Sequence, residues 1–225
     1  MNRRTQLLAF VAAAIVLSQI PYLHVPLKWF ETLFHESSHA LAAFLTGGHV
    51  ARIALHADGS GLTWSSGGIR PLVTFAGYAG AIAWGALLYA LATAVRPTTA
   101  RAIVIGMLVL GILEALTWLA FSLTTYAIMA VILGLLVMLL SPRAAPLAQP
   151  ALRLIGAYVL VSAIVSPSYI LQAGQSSEND AAALASQLWV PSIVWVAIWL
   201  ALGVAAVVGL YRLEGRVDRG QVATR

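Results

Sequence analysis

Long apolar stretches separated by short polar segments run along most of this chain. Seven of them approach the roughly 20 residues that a membrane-crossing helix needs, at 5–23, 27–46, 71–95, 102–121, 124–140, 151–171 and 190–211. The stretch 151–171 is weaker, because Ser166-Pro167-Ser168 interrupts it. The first stretch also resembles a signal-peptide core, but no A-x-A-type cleavage site follows, which favours a retained anchor. The pattern predicts an all-α integral membrane protein with about six to seven membrane helices.

A different pattern follows the second apolar stretch. Gly47-Gly48 ends the helix predicted over 27–46. Along residues 50–56, the side chains of Ala51, Ile53 and Leu55 alternate with those of Val50, Arg52, Ala54 and His56, as in a β-strand, and Asp58-Gly59 is a turn signal. We therefore predict a small β-hairpin over 49–65. Open strand edges cannot face lipid, so this hairpin must lie at the interface or in a cavity lined by protein.

Composition excludes a soluble protein. The chain has 225 residues, of which 60% are hydrophobic and 9% charged, whereas about a quarter of the residues of a soluble domain are charged. The net charge of +5 does not indicate a nucleic-acid partner, because the basic residues lie at segment ends, as is typical of membrane proteins. Cysteine is absent, so a metal must be held by His, Asp or Glu.

The distribution of basic residues predicts the orientation. If the 27–46 helix dips into the membrane and returns, ten of the thirteen Lys and Arg residues share one side. If it crosses, the split is nine to four. Both arrangements place the C-terminus in the cytoplasm and the hairpin on the opposite face, together with the loop 172–188. We expect one domain, with a polar tail at 212–225, in a bacterial cell membrane.

One motif in the second apolar stretch carries chemistry. His35-Glu36-Ser37-Ser38-His39 has the form H-E-x-x-H. On a helix, His35 and His39 share a face and can bind one zinc ion, while Glu36 acts as general base on a zinc-activated water. Two structural histidines would give the same spacing. The apolar surroundings argue against that interpretation, because ionisable groups at membrane depth are costly and usually functional.

These residues resemble the site-2-protease family of intramembrane zinc metalloproteases. The resemblance rests on "FHESSHALAAFLTGG", on the hairpin containing "ADGSG", and on the helix with "FAGYAG", and it covers residues 30–85 well. It is closest to a compact branch without an inserted peptide-binding (PDZ) domain. The resemblance implies a helical membrane fold, one buried zinc ion with His35 and His39 as ligands, and Glu36 as the catalytic base. It also implies cleavage of transmembrane or juxtamembrane segments.

A third zinc ligand is expected, because catalytic zinc usually takes three protein ligands and a water. The family's aspartate lies in an L-D-G or N-P-D-G setting, and neither string occurs here. Asp180 is the first candidate, although it could simply cap the helix that follows it. Glu114, isolated in an apolar helix, is the second candidate, as a ligand, a partner of a ligating histidine or a proton relay. Asp58 is the third, but the turn alone explains it.

The function most consistent with these residues is zinc-dependent intramembrane proteolysis of other membrane proteins within the lipid bilayer. The hairpin would bind an extended substrate by pairing with its backbone. Two non-enzymatic alternatives stay open: a membrane scaffold, and a transporter with an ion or proton path through the buried His and Glu residues. No internal repeat is found, which disfavours the transporter.

Overall fold

Eight helices and one β-hairpin make up the described part of the chain. The computed structural model describes residues 2–95, 97–172 and 179–223. In chain order the elements are α1 (Arg3–Ser18), α2 (Val25–Leu45), β1 (His49–Leu55), β2 (Gly61–Ser66), α3 (Arg70–Ala94), α4 (Pro97–Thr117), α5 (Leu123–Leu140), α6 (Ala145–Gln172), α7 (Asp180–Leu188) and α8 (Ser192–Ala223).

The membrane class predicted from the sequence is confirmed. Among the described residues, five helical segments are long and apolar enough to cross a membrane: Arg70–Ala94, Thr99–Thr117, Leu123–Leu140, Ala145–Pro167 and Ser192–Val217. They correspond to five of the seven predicted stretches. Of the other two, α1 has only 16 residues, and α2 includes three charged side chains within its 21 residues. The five candidate spans thus come close to the predicted six to seven membrane helices.

The centre of the bundle is the crossing of α3 and α6. Gly85 and Gly156 allow the two backbones to touch, since a Cβ atom on Gly85 would lie 2.6 Å from the backbone nitrogen of Leu160. Helices in lipid associate through such close packing of small residues. Tyr89 and Leu160 are fully buried beside this crossing. The result is a tight frame against which α2 packs on one side and α1 and α8 on the other.

The predicted hairpin is present, and its two edges differ. β1 and β2 pair antiparallel, with Ile53 opposite Thr63. The outer edge of β1 is covered by the segment after α4, because Ile53 N–H donates to the carbonyl of Trp118 at 2.6 Å and Ala120 N–H donates to the carbonyl of Ile53 at 2.7 Å. The outer edge of β2 has no backbone partner among the described residues.

Two boundaries differ from the sequence prediction around α6. The apolar stretch predicts that this helix begins at residue 151, but α6 begins at Ala145, inside the proline-rich segment before it. Pro146 fits at this position because backbone N–H groups in the first turn of a helix have no carbonyl partner within the helix, so a residue without an N–H loses no hydrogen bond. The helix also continues through Pro167, where an interruption was expected. Tertiary packing outweighs the local preference there, since Ala163 and Pro167 are both buried.

The expected polar tail is also helical, as α8 runs to Ala223. Glu214 is fully buried and accepts a hydrogen bond from Thr93 Oγ1 at 2.9 Å, while the Arg4 guanidinium lies 4.6 Å from the centre of the Tyr211 ring. These contacts join the start of α1, the end of α3 and the end of α8.

Candidate metal centre

Two imidazoles from one face of α2 converge at a single point. His35 Nε2 and His39 Nε2 lie 3.0 Å apart, one helical turn from each other along the chain. His39 Nδ1 donates a hydrogen bond to the carbonyl oxygen of Val73, at 2.8 Å. In the neutral ring this bond leaves the lone pair on Nε2, the atom that faces His35. Val73 belongs to α3, so the neighbouring helix fixes the tautomer of His39.

A carboxylate from a distant part of the chain completes the group. Asp180 Oδ2 lies 3.1 Å from His35 Nε2 and 3.4 Å from His39 Nε2. Burial would raise the pKa of Asp180, but the imidazoles of His39 and His35 outweigh it and hold the pKa well below its ordinary value. The carboxylate is therefore ionised, as a metal ligand must be.

The capping interpretation of Asp180 does not agree with the structure. Asn179 is the N-cap of α7, and its side-chain oxygen accepts from Ala182 N–H at 2.9 Å. Asp180 is the next residue, in the first turn. Because Asn179 takes the capping role, the side chain of Asp180 points at the histidines instead.

The three side chains fit a metal ion. His35, His39 and Asp180 offer donor atoms that all lie within 4.8 Å of one another, and no other such group of three occurs among the described residues. Asp180 Oδ2 is buried and makes no hydrogen bond of normal geometry, so it faces the two nitrogens as an acceptor without a donor. Two imidazoles and one carboxylate are a common donor set of catalytic zinc, which keeps a fourth position open.

Helix α3 closes the metal centre from above. A Cβ atom on Gly77 would lie 2.6 Å from His35 Nε2 and closer still to His39 Nε2, so only glycine allows the donor atoms to stand where they do. The ring of Tyr78 packs edge-on against the His35 ring, with centroids 4.6 Å apart. In the sequence, Gly77 and Gly80 indicate only a small-residue packing surface. The two glycines three residues apart in "FAGYAG" were the only feature of the sequence that could have indicated close contact between α3 and the histidines.

Glu36 lies beside this group and is held by the hairpin. Its side chain is buried, and Thr63 Oγ1 of β2 donates to Glu36 Oε2 at 2.7 Å. Gly61 lies against the same side chain, because a Cβ atom there would be 2.7 Å from Glu36 Cγ. Sequence reasoning missed both hairpin residues, since nothing in "GSGLTW" distinguishes a contact to a buried carboxylate from an ordinary strand.

The structure does not bring the other two carboxylate candidates into the group. Glu114 accepts a hydrogen bond from Ser37 Oγ at 2.6 Å, on a different face of α2 from the histidines. Asp58 lies in the hairpin turn, where Ser60 N–H donates to its Oδ1 at 2.9 Å. That backbone bond, together with the Ser60 hydroxyl, lowers the pKa of Asp58. Each of the two carboxylates thus has a hydrogen-bond partner outside the group of three.

A cavity of about 770 Å³ opens over the metal centre, between the hairpin, α2, α3 and α7. Cavities of roughly 300–1,000 Å³ hold drug-sized ligands, so a peptide of a few residues fits. Charged side chains line its far end, where Lys28 forms an ion pair with Glu31. Thr63 and other residues of β2 form one wall; a substrate-binding role of the hairpin 49–65 stays a prediction.

Fold and site together define a polytopic membrane protein with an H-E-x-x-H helix, a carboxylate that converges on its two histidines, and a peptide-sized cavity. A family model described as Peptidase M50B-like matches residues 7–210. The chain therefore belongs to the Peptidase M50B-like family and is a membrane metallopeptidase of the site-2-protease type. No curated protein and no solved structure gives a significant match to it.

Proposed function

We propose that this protein is a zinc-dependent intramembrane endopeptidase that cleaves transmembrane or juxtamembrane segments of other membrane proteins. The observation that carries the proposal is the convergence of His35, His39 and Asp180 on one point beside the buried carboxylate of Glu36. A scaffold that needed only a structural zinc ion would have no use for that additional carboxylate. An ion path would need further polar groups in sequence across the bundle.

In this proposal His35, His39 and Asp180 hold one zinc ion. Zinc bound there supplies a Lewis acid and lowers the pKa of a coordinated water toward ~7. Glu36 is the general base: Oε2 is engaged by Thr63, which leaves Oε1 to take a proton from the attacking water and pass it to the leaving amine. Tyr78 and Gly77 keep the imidazole rings in place.

The exposed edge of β2 is the proposed substrate-binding strand. Ile53 directs both its N–H and its C=O away from β2, so its partner Thr63 also directs its backbone groups outward, as the members of a non-hydrogen-bonded antiparallel pair do. Ser65, two residues on, has the same orientation. A substrate that adds as a third strand there would be extended and unwound, which exposes a peptide bond that a helix shields.

Contacts at the opposite end of the bundle support the proposed orientation. Arg3 donates to the carbonyl of Thr93 at 3.2 Å, and Arg153 donates to Gln6 Oε1 at 3.0 Å. The arginines at the starts of α1 and α6 thus lie at one end of the molecule, far from the metal centre. With the positive-inside rule this end is cytoplasmic, and the catalytic cavity opens toward the other side.

Zinc content and cleavage, measured on the same samples, test the proposal. Wild-type protein reconstituted in vesicles should hold about one zinc per chain, as catalytic sites of this kind do, and cleave a single-span model substrate. Glu36→Gln should keep its zinc and lose cleavage, while Asp180→Ala and the double variant His35→Ala/His39→Ala should lose both. Asp58→Ala is the matched control, because it removes a carboxylate from the same cavity without touching the group of three.

Each result has a defined meaning. Wild-type zinc content in Asp180→Ala would refute the proposed ligand set. A wild-type protein without zinc after reconstitution would refute the enzyme itself and favour the scaffold or transporter. Full cleavage by Glu36→Gln would remove that residue from the mechanism.

The substrate edge has its own test. Ser65→Pro removes one outward backbone donor, whereas Ser65→Ala makes a similar change in the side chain and keeps the donor. We expect a raised KM in the proline variant alone, with zinc content unchanged in both. Equal kinetics in the two variants would exclude strand addition at this edge.

A further inference from the structure

A second cavity, of about 730 Å³, lies on the other side of α2 from the metal centre. One stripe of side chains from each of α2, α3, α4 and α5 forms its walls, and nearly all of them are apolar. It opens sideways, because Leu110 and Leu113 on its α4 wall are each about half exposed. The proposed protease function assigns nothing to this cavity.

Three polar side chains interrupt this apolar lining: Thr117, whose hydroxyl donates to the carbonyl of Leu113 at 2.8 Å, and the pair Glu114 and Ser37. Glu114 Oε1 accepts the hydrogen bond from Ser37 Oγ at 2.6 Å. Its second oxygen has no hydrogen-bond partner, and the carboxylate has no ion pair, in the part of the chain that the structure describes. A lone carboxylate in such surroundings is costly. A bound group that carries N–H donors and positive charge would offset that cost.

The dimensions of the groove match one leaflet of a bilayer. From Ile103 to Glu114 its α4 wall extends about 17 Å at the helical rise per residue, and Thr117 continues this wall by one further turn. One leaflet of hydrocarbon is roughly 15 Å thick, half of the ~30 Å core. Glu114 lies about 5 Å from the end of α4 at Thr117, at the depth where hydrocarbon gives way to head groups. The carboxylate therefore lies toward the head-group end of the groove, one helical turn before the groove ends on α4, and the apolar wall between Ile103 and Glu114 is as long as one acyl chain.

The lining of the cavity favours a lipid chain, because nearly all of it is apolar and because it opens sideways at Leu110 and Leu113. A single acyl chain is thin enough and flexible enough to follow the walls. The charge decides the head group, because Glu114 repels an anionic lipid and attracts an ammonium.

We propose that this cavity binds one acyl chain of a membrane lipid with a primary ammonium head group, whose N–H groups donate to Glu114. The lipid would lie in the leaflet on the hairpin side. It would contact the face of α2 that bears Ser37. This residue lies between His35 and His39 in the sequence but faces away from the metal centre. The proposal does not depend on the protease activity.

Native mass spectrometry of the full chain gives a direct test. The protein is equilibrated with equal amounts of phosphatidylethanolamine, phosphatidylcholine and phosphatidylglycerol with the same acyl chains, and the retained lipid is counted. We expect phosphatidylethanolamine to exceed the other two at least tenfold. Phosphatidylcholine is the informative competitor, because its quaternary ammonium has charge but no N–H donor.

Three variants locate the binding. Glu114→Gln keeps the hydrogen bond to Ser37 but not the charge, and it should reduce the tenfold preference to less than threefold. Met107→Trp fills the cavity from its α4 wall and should abolish retention. Leu116→Trp is its control: the same helix gains the same side chain on an outward face, where Leu116 is 79% exposed.

Three results would overturn the proposal. The first is equal retention of the three lipids by the wild type. The second is an unchanged preference in Glu114→Gln. The third is equal lipid loss in Met107→Trp and Leu116→Trp, which would indicate a general effect on the annular lipid rather than a site.

Discussion

Replacing Gly77 with alanine should strongly weaken zinc binding at the proposed metal centre, although glycine-to-alanine is among the smallest changes a helix can undergo. The new Cβ would lie 2.5 Å from His39 Cε1 and 2.6 Å from His35 Nε2, whereas ordinary van der Waals contact begins at about 3.4 Å. Both imidazoles must therefore retreat by almost 1 Å. Because Gly77 lies within a helix, its backbone cannot easily yield in their place.

The displacement is large on the scale of metal coordination. Zinc–nitrogen bonds are about 2.0–2.1 Å long, and a working site tolerates deviations of only ~0.2 Å. Loss of a group that only hydrogen-bonds to a metal ligand, without touching the metal, typically lowers metal affinity 10–100-fold. Since Gly77→Ala displaces two ligands at once, we expect zinc binding to weaken by at least ~100-fold, or about 2.7 kcal/mol. Overpacking should also lower the stability, by roughly 1–3 kcal/mol.

Zinc affinity measured by chelator competition, beside thermal unfolding, separates the two effects. Gly106→Ala is the neutral control, because nothing lies within 4 Å of a Cβ atom at that position, and it should match wild type in both assays. Gly80→Ala is the packing control, since its Cβ would strike Ser38 rather than a metal donor. It should cost stability with a much smaller loss of zinc. Wild-type zinc affinity in Gly77→Ala would refute the placement of the two imidazoles.

Three further predictions concern residues around the site. Thr63→Val removes the hydroxyl that donates to Glu36 and should lower kcat about tenfold, as loss of one hydrogen bond to a charged group does. Zinc should be retained, and Thr63→Ser should recover kcat. An unchanged kcat in Thr63→Val would exclude this positioning role. Asn179→Ala should cost about 1 kcal/mol as a lost N-cap and weaken zinc binding, whereas Asn179→Asp should restore both; equal affinity in all three would show that the cap does not position the ligand. The hydrogen bonds from Ser60 lower the pKa of Asp58, so their stabilising effect is present above its ordinary value of 3.8 and is lost as the pH falls through the depressed value. The melting temperatures of wild type and Asp58→Ala should therefore converge in acid, and a constant difference would contradict the assignment.

Local signals in the sequence were sufficient for the parts of the site that lie close together in the chain. His35, Glu36 and His39 are separated by at most one helical turn, so their common face follows from helix geometry alone. The hairpin followed from alternation and from Asp58-Gly59. These features need no knowledge of how the helices pack.

The rest of the site depends on packing between distant elements. Asp180 could be ranked first from its predicted membrane face, but only the structure shows that Asn179 takes the capping role. Thr63 and Gly77 reach the site through the register of the hairpin and the crossing of α2 with α3, neither of which leaves a periodic pattern. Pro167 misled for the same reason, because tertiary contacts maintain a helix that local propensity would break.

The proposed ligands come from distant parts of the chain, since six elements lie between α2, which carries both histidines, and α7, which begins with Asp180. His35 and His39 emerge from the ribosome long before Asp180, which arrives only with the short helix that precedes α8. A nascent or prematurely terminated chain would then insert its H-E-x-x-H helix into the membrane without a complete metal centre. In this proposal the order of synthesis would delay activity until α7 has been made, so that truncated translation products could not degrade the membrane proteins around them.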